Sequence, residues 1–222
     1  MKIIITSGGT SERIDDVRMI TNRSTGKLGS LIADAFRGAA PDAEIIYVCS
    51  ETAILPEMLC GIIKIESAGE LRRTLEKLLA AEKIDAVIHA MAVSDYSVKA
   101  VTLLGGSNLS EKKISSDHDN LAILLEKTPK VIGLIKQLQP ETILVGFKLL
   151  SGADEQTLLQ AGQDLMIRNN CDFVLANDLS GINADRHKAI LIKPGANVRL
   201  NSKQEIAEAI VVNVLKKWGD TK

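Results

Sequence analysis

A chain of 222 residues, 45% hydrophobic, is long enough to bury a full core as one domain, and its 27 Lys and Arg against 28 Asp and Glu leave no basic field to hold nucleic acid. Aromatic residues make up 3%, so platforms for stacked bases are few, and no uninterrupted apolar run approaches the roughly eighteen residues of a membrane span. The three cysteines (Cys49, Cys60 and Cys171) are odd in number and lack zinc-ligand spacing, and the apolar run at the N-terminus is too short for a signal peptide; the expectation is a cytoplasmic protein with small buried thiols.

The first apolar run, Ile3-Ile4-Ile5, predicts a strand over 2–6. Next comes Ser7-Gly-Gly-Thr-Ser-Glu-Arg-Ile-Asp-Asp-Val-Arg-Met-Ile-Thr-Asn-Arg-Ser-Thr-Gly-Lys-Leu-Gly29, leading into an amphipathic helix at 27–37. A strand, a glycine turn and a helix opening Ser-x-Gly-x-x-Gly are the parts of a phosphate cradle, because glycines admit an anion to the backbone and the first N–H groups of a helix point at it. The two glycine clusters are nevertheless split by fourteen residues, 10–23, whereas a dinucleotide fingerprint packs its glycines into one turn. Nor is this a P-loop, since leucine follows Gly26-Lys27 where a magnesium-binding hydroxyl belongs.

Further strands are expected at 44–49, 62–66, 85–90, 142–147 and 172–176, several as unbroken Val/Ile/Leu runs covered on both faces. Helical patterns fall at 68–82, 120–138 and 154–169. Pro194-Gly195-Ala196 divides 188–193 from 197–200 as an antiparallel hairpin, and a last helix covers 203–218. The alternation predicts an α/β, Rossmann-like three-layer sandwich: one domain over 1–222, a mostly parallel twisted sheet, an antiparallel edge hairpin and no internal repeat. Residues 94–118 break the rhythm with serines, Gly105-Gly106, Asn108 and Glu111-Lys112-Lys113, and are read as an irregular flap projecting beside the carboxyl ends of the strands, where open α/β sheets bind ligands.

Several residues carry candidate chemistry beside a plainer reading. Residues 24–29 offer hydroxyls and free N–H groups to a phosphate, or simply cap a helix. In the inserted segment Arg18 is either a carboxylate or phosphate clamp or the ion-pair partner of Asp15 or Asp16, and Asn22 either faces a developing oxyanion or caps a turn. Asp95 lies just past a strand end, as a ligand acceptor or a loop cap. Lys112 and Lys113 are flap cations, either clamping a polyphosphate or solvated. Phe147 and Asn177 close strands facing the same crevice, Phe147 to stack a base or to pack the core. His89, His118 and His187 are scattered without metal spacing and receive no role; His89, in an apolar strand, reads as a core residue.

Taken together, Thr6-Ser-Gly-Gly-Thr10, Ile14-Asp15 with Val17-Arg18, Asn22-x-Ser-x-Gly-Lys-x-Gly29, Ala92-Val-Ser-Asp-Tyr96, Lys113-Ile114, Thr128-Pro129, Val145-Gly-Phe147, Asp172 and Ala176-Asn-Asp178 make the chain resemble, nearly end to end, the phosphopantothenoylcysteine synthetase family, the phosphopantothenate–cysteine ligases of coenzyme A biosynthesis. The resemblance implies a magnesium-dependent ligase using CTP or ATP, with magnesium ligands unknown. The pantothenate carboxylate attacks the α-phosphorus, and the cysteine amine then displaces the nucleoside monophosphate. It further implies nucleotide contacts at Gly8, Gly9, Ser24, Gly26, Gly29, Phe147 and Asn177. Substrate contacts fall at Arg18, Asn22, Ala92 and Asp95, and Asn22 and Lys113 take the catalytic roles. A homodimer is implied in which one subunit's flap completes the neighbouring site.

Leu165 and Asn169 stand where many bacterial members carry nucleotide-binding lysines, and Gly146-Phe-Lys-Leu-Leu150 resembles the eukaryotic branch; the reading favours CTP. Met1 directly before the first strand predicts a stand-alone form without FMN. Two rivals are an NAD(P)-dependent oxidoreductase, with Glu51 as its ribose acid but wrong glycine spacing, and a non-catalytic nucleotide-binding module.

Overall fold

The computed structural model describes residues 1–104, 106, 108–109, 112–183 and 186–220; Gly105 and Glu111 of the expected flap lie outside the described residues. Its strands and helices are, in chain order, β1 (Lys2–Ser7), β2 (Ser11–Arg13), β3 (Met19–Thr21), α1 (Lys27–Ala39), β4 (Glu44–Ser50), β5 (Gly61–Ile65), α2 (Ala68–Ala81), β6 (Ala86–His89), β7 (Tyr96–Leu103), β8 (Asn108–Leu109), β9 (Leu121–Lys127), α3 (Ile132–Leu138), β10 (Ile143–Leu150), α4 (Glu155–Asn169), β11 (Phe173–Asp178), β12 (Ala189–Ile192), β13 (Val198–Leu200) and α5 (Lys203–Asp220).

The main sheet runs β13-β12-β11-β10-β6-β1-β4-β5. Its six members from β11 to β5 pair parallel, while β12 and β13 add the expected antiparallel edge. Ile3, Ile4 and Ile5 have no exposed surface, because alternate side chains of a central strand enter opposite cores. Ile3, Ile5, Ile88 and Val145 pack with α1 and α5, whereas Ile4, Val87, Leu144 and Val174 pack with α2, α3 and α4. Strand order reverses between β1 and β6, so the carboxyl ends of these strands open into the crevice where such sheets take ligands.

β6 pairs with β10 over only Ala86 to Ile88, against Ile143 to Val145, while β10 continues beside β11 to Leu150. The two strands therefore part just where the crevice begins.

Two expectations fail. The segment expected as helix over 120–138 is strand β9 followed by the short helix α3; Thr128-Pro129 lies between them, and a residue before proline is driven out of the helical region. The flap is not irregular either. β8, β7 and β9 form an antiparallel three-stranded sheet, in which Tyr96-Ser-Val-Lys-Ala-Val-Thr-Leu103 pairs with β9 from Tyr96↔Lys127 to Leu103↔Leu121. Its β-branched content was the available strand signal.

Candidate active site

The inserted segment between the glycine clusters folds as a small hairpin, β2 against β3. At its turn the Asp15 carboxylate accepts from the Val17 and Arg18 amides (2.9 and 2.7 Å), from the Arg18 guanidinium, and from the Ile114 amide (3.2 Å). The Arg18 charge and these donors hold the Asp15 carboxyl well below the usual carboxylate range. Arg18 also donates to the Ile114 carbonyl (2.7 Å), and the Asp16 amide to that of Lys112 (2.9 Å). The ion pair with Asp15, one of the two readings open for Arg18, is present. Together they fasten the chain on both sides of Lys113, whose own side chain is exposed, to the hairpin.

Behind the hairpin three backbone segments meet. The Ala92 amide donates to Gly8 (2.9 Å), the Thr10 amide to Ala92 (3.0 Å) and the Asn22 amide to Thr10 (3.2 Å). The Asn22 side-chain amide donates to the Ala92 carbonyl (3.1 Å). A Cβ on Gly9 would stand 2.3 Å from the Asn22 carbonyl oxygen, so the contact admits glycine alone.

The cradle proper begins at Gly26, the N-cap of α1, with φ +72°, a left-handed value that disfavours any side chain. Gly26 has no side chain to cap this helix; the Lys27 amide reaches the Thr25 hydroxyl (3.4 Å), and the next N–H groups, of Leu28 and Gly29, are left for an anion.

Two cavities adjoin at the carboxyl ends of the strands. The first, about 340 Å³, is lined by residues 23–29, Ala92, Phe147, Asn177, His187 and Lys203 among others. The second, about 350 Å³, is lined by His89, Asp95, Lys130, Lys148, Arg168 and Asn169 among others. Met91, Ala92, Phe147 and Leu149 belong to both. Of the residues expected at the site, Ser24, Gly26, Gly29, Ala92, Phe147 and Asn177 gather on the first cavity, and Ala92, Asp95 and Phe147 on the second. Gly8, Gly9, Arg18, Asn22 and Lys113 line neither; Asn22 reaches the cavities through Ala92.

Two residues without an expected role also face the site. His187 is buried beside Asn177 (Nε2 to Nδ2, 3.3 Å), and its burial, with Lys203 nearby, lowers the ring to about 4. His89 is buried with Nδ1 2.9 Å from the Thr6 hydroxyl, and burial lowers it to about 4. Position was the missed signal, since His89 closes a central strand and not its middle.

The model of the DNA/pantothenate metabolism flavoprotein C-terminal domain matches residues 1–217. The chain belongs to that family. It is 34% identical over 213 residues, 94% of its own length, to the coenzyme A biosynthesis bifunctional protein CoaBC of Thermococcus kodakarensis, and spans about half (49%) of that protein. The crystal structure of the DNA/pantothenate metabolism flavoprotein from Streptococcus pneumoniae superimposes with a TM-score of 0.89 at 36% identity, covering 98% of this chain and 99% of that one. The structure of a Cab2 mutant in complex with phosphopantothenate-cysteine has the same fold, with a TM-score of 0.75 at 21% identity, covering 99% of this chain and 86% of that one. Among the described residues no helix is long and apolar enough to cross a membrane, and no group of three His, Cys, Asp or Glu is placed to hold a metal ion.

Proposed function

We propose that this chain joins 4′-phosphopantothenate to L-cysteine, with a nucleoside triphosphate consumed to activate the carboxylate. The observation that carries this is the pair of cation-lined cavities sharing the wall Met91-Ala92-Phe147-Leu149. That arrangement suits two anions that must meet end to end. A carboxylate oxygen of the first substrate attacks the α-phosphorus of the second, and the bond to pyrophosphate breaks. The cysteine amine then attacks the acyl carbon, the nucleoside monophosphate leaves, and the amine proton passes to solvent. Juxtaposition and fixed donors supply the rate without a covalent enzyme intermediate.

Charge decides which cavity takes which substrate. The first is lined by Arg23, Lys27 and Lys203, by no acid, and by the free start of α1. It matches phosphopantothenate, which carries about three negative charges. The second sets Asp95 against Lys130, Lys148 and Arg168. Its net charge of two positive matches a magnesium-bound triphosphate, and its carboxylate suits magnesium, which takes one or two protein carboxylates and the rest of its oxygens from phosphate and water. This reverses the sequence reading, in which the glycine cradle held the nucleotide phosphates and Asp95 the pantothenate. Asn22, held on the Ala92 carbonyl, stabilises the acyl oxygen at the shared wall, and Lys113 closes over the phosphoryl group from the flap.

The second subunit of a homodimer covers β9, whose Leu121, Ile123, Leu124 and Leu125 are 39–53% exposed. A surface so apolar on a strand asks for a partner. CTP is the favoured nucleotide.

The test is pyrophosphate release with phosphopantothenate, cysteine and either CTP or ATP. Release that requires phosphopantothenate is expected, faster with CTP; no turnover with either nucleotide overturns the ligase reading. The cavity assignment is separable. Lys27→Met is expected to weaken phosphopantothenate binding about tenfold and leave CTP binding within about twofold, and Arg168→Met to do the reverse, as measured by calorimetry. The opposite pattern restores the nucleotide to the glycine cradle.

A further inference from the structure

His89 is 7% exposed and occupies the last position of β6, next to the point where β6 and β10 part. The Thr6 hydroxyl oxygen accepts from the Met91 amide (3.3 Å), and among the described residues the only acceptor within reach of its own proton is the His89 Nδ1 2.9 Å away, so the hydroxyl is assigned as the donor. That assignment makes Nδ1 an acceptor and puts the remaining ring proton on Nε2. The two ring nitrogens point to nearly opposite sides. His89 is one of the residues lining the second cavity, and with Nδ1 engaged by Thr6 on β1, Nε2 is the ring nitrogen left for a ligand there. The last pair between the two strands is Val145↔Ile88, so His89 itself has no partner on β10 and stands at the mouth of that cavity. Among the described residues Nε2 has no hydrogen-bond partner. Burial keeps the ring uncharged at neutral pH, so what it presents is a fixed, neutral N–H.

We propose that His89 is a nucleotide-positioning residue whose Nε2–H donates to a non-bridging oxygen of the α-phosphoryl group. The inference rests on the ligase reading and on the nucleotide occupying the second cavity. Lys130 and Arg168 stand exposed at the outer rim of that cavity and suit the β- and γ-phosphates. The α-phosphorus must instead lie at the wall shared with the first cavity, where the carboxylate arrives. His89 sits two residues before Met91, on the strand that leads into this wall. A neutral donor there orients the α-phosphoryl group in the triphosphate, in the acyl-nucleotide and in the departing monophosphate alike. Being uncharged, it neither traps the carboxylate nor holds the monophosphate as an ion pair.

The discriminating ligands are CMP, which carries only the α-phosphoryl group, and cytidine, which carries none. Calorimetry on His89→Phe is expected to show CMP and CTP binding weakened about 10- to 100-fold, the usual worth of a hydrogen bond to a charged group, with cytidine unchanged within about twofold. His89→Gln, whose amide reaches a similar position, should restore CMP binding to within about fivefold of the original. Equal losses for cytidine and CMP would mean that the ring merely shapes the cavity, and no loss for either would leave it a core residue; both overturn the proposal. A loss confined to phosphopantothenate overturns it as well, while leaving the ligase reading intact. If the unaltered protein binds no nucleotide, the ligase reading falls and takes this inference with it. Should the Phe variant not fold, nitrogen NMR of the unaltered protein decides instead, there being only three histidines to assign. The His89 Nε2 resonance is expected to shift on adding CMP and to stay in place with cytidine; identical responses to the two overturn the proposal.

Discussion

In Asn22→Asp, pyrophosphate release is expected to continue while formation of phosphopantothenoylcysteine falls by about 100-fold or more, so that acyl-nucleotide accumulates. The Asn22 amide nitrogen donates to the Ala92 carbonyl, and Ala92 belongs to the wall between the two cavities. A carboxylate in its place turns a donor toward the acyl oxygen into an acceptor and sets negative charge against the Ala92 carbonyl. Loss of one oxyanion donor costs roughly 10²- to 10³-fold in rate. The first half-reaction develops its charge on phosphorus and pyrophosphate and depends less on this amide. Rapid quench with labelled CTP separates the two steps. Product formation within about threefold of the unaltered protein removes Asn22 from the chemistry.

Gly9→Ala is expected to cost about 1–3 kcal/mol of stability and to reduce ligase turnover at least about 100-fold. Its Cβ would stand 2.3 Å from the Asn22 carbonyl oxygen, and a backbone oxygen has no rotamer with which to retreat. The hydrogen bonds joining Gly8, Thr10, Asn22 and Ala92 carry any displacement directly to Asn22 and to the shared wall. Denaturant titration reads the first effect and pyrophosphate release the second. Gly38→Ala, a substitution in α1 where an added Cβ meets nothing within 4 Å, is the control and should leave turnover unchanged and stability equal or higher by up to about 1 kcal/mol. Stability and turnover equal to the control would make Gly9 replaceable.

The parallel sheet was legible because its strands are buried on both faces and read as unbroken Val, Ile and Leu, and α1, α2 and α4 because their apolar periods are regular. The flap sheet was not, since β7 and β9 lie at the surface and alternate little, so the Leu121-Ala-Ile-Leu-Leu run read as the start of a helix over 120–138, straight through Thr128-Pro129. The glycine cradle and Phe147 were legible as motifs, and the family assignment agrees with the resemblance they carry. The Arg18–Asp15 pair was one of two open readings; what only coordinates supply is its grip on Ile114, 96 positions away. The division into two cavities was invisible for the same reason, because it depends on where β6 and β10 separate and not on any local pattern. His89 went unassigned because an apolar strand looks the same from within whether or not its last side chain meets a crevice.

That separation has a mechanical consequence. Within the sheet, the half β5-β4-β1-β6 pairs with the half β10-β11-β12-β13 through three residue pairs, the helices on both faces supplying the rest of the attachment. Beyond them lies a seam, with β1 and β6 on one bank and Phe147 and Leu149 on the other. Any molecule lodged in either cavity spans the seam and acts as a rivet, adding attachment between the banks that the free chain lacks. Occupancy and resistance to unfolding are then one quantity seen from two sides, and the melting temperature becomes a gauge of ligand concentration over its dissociation constant.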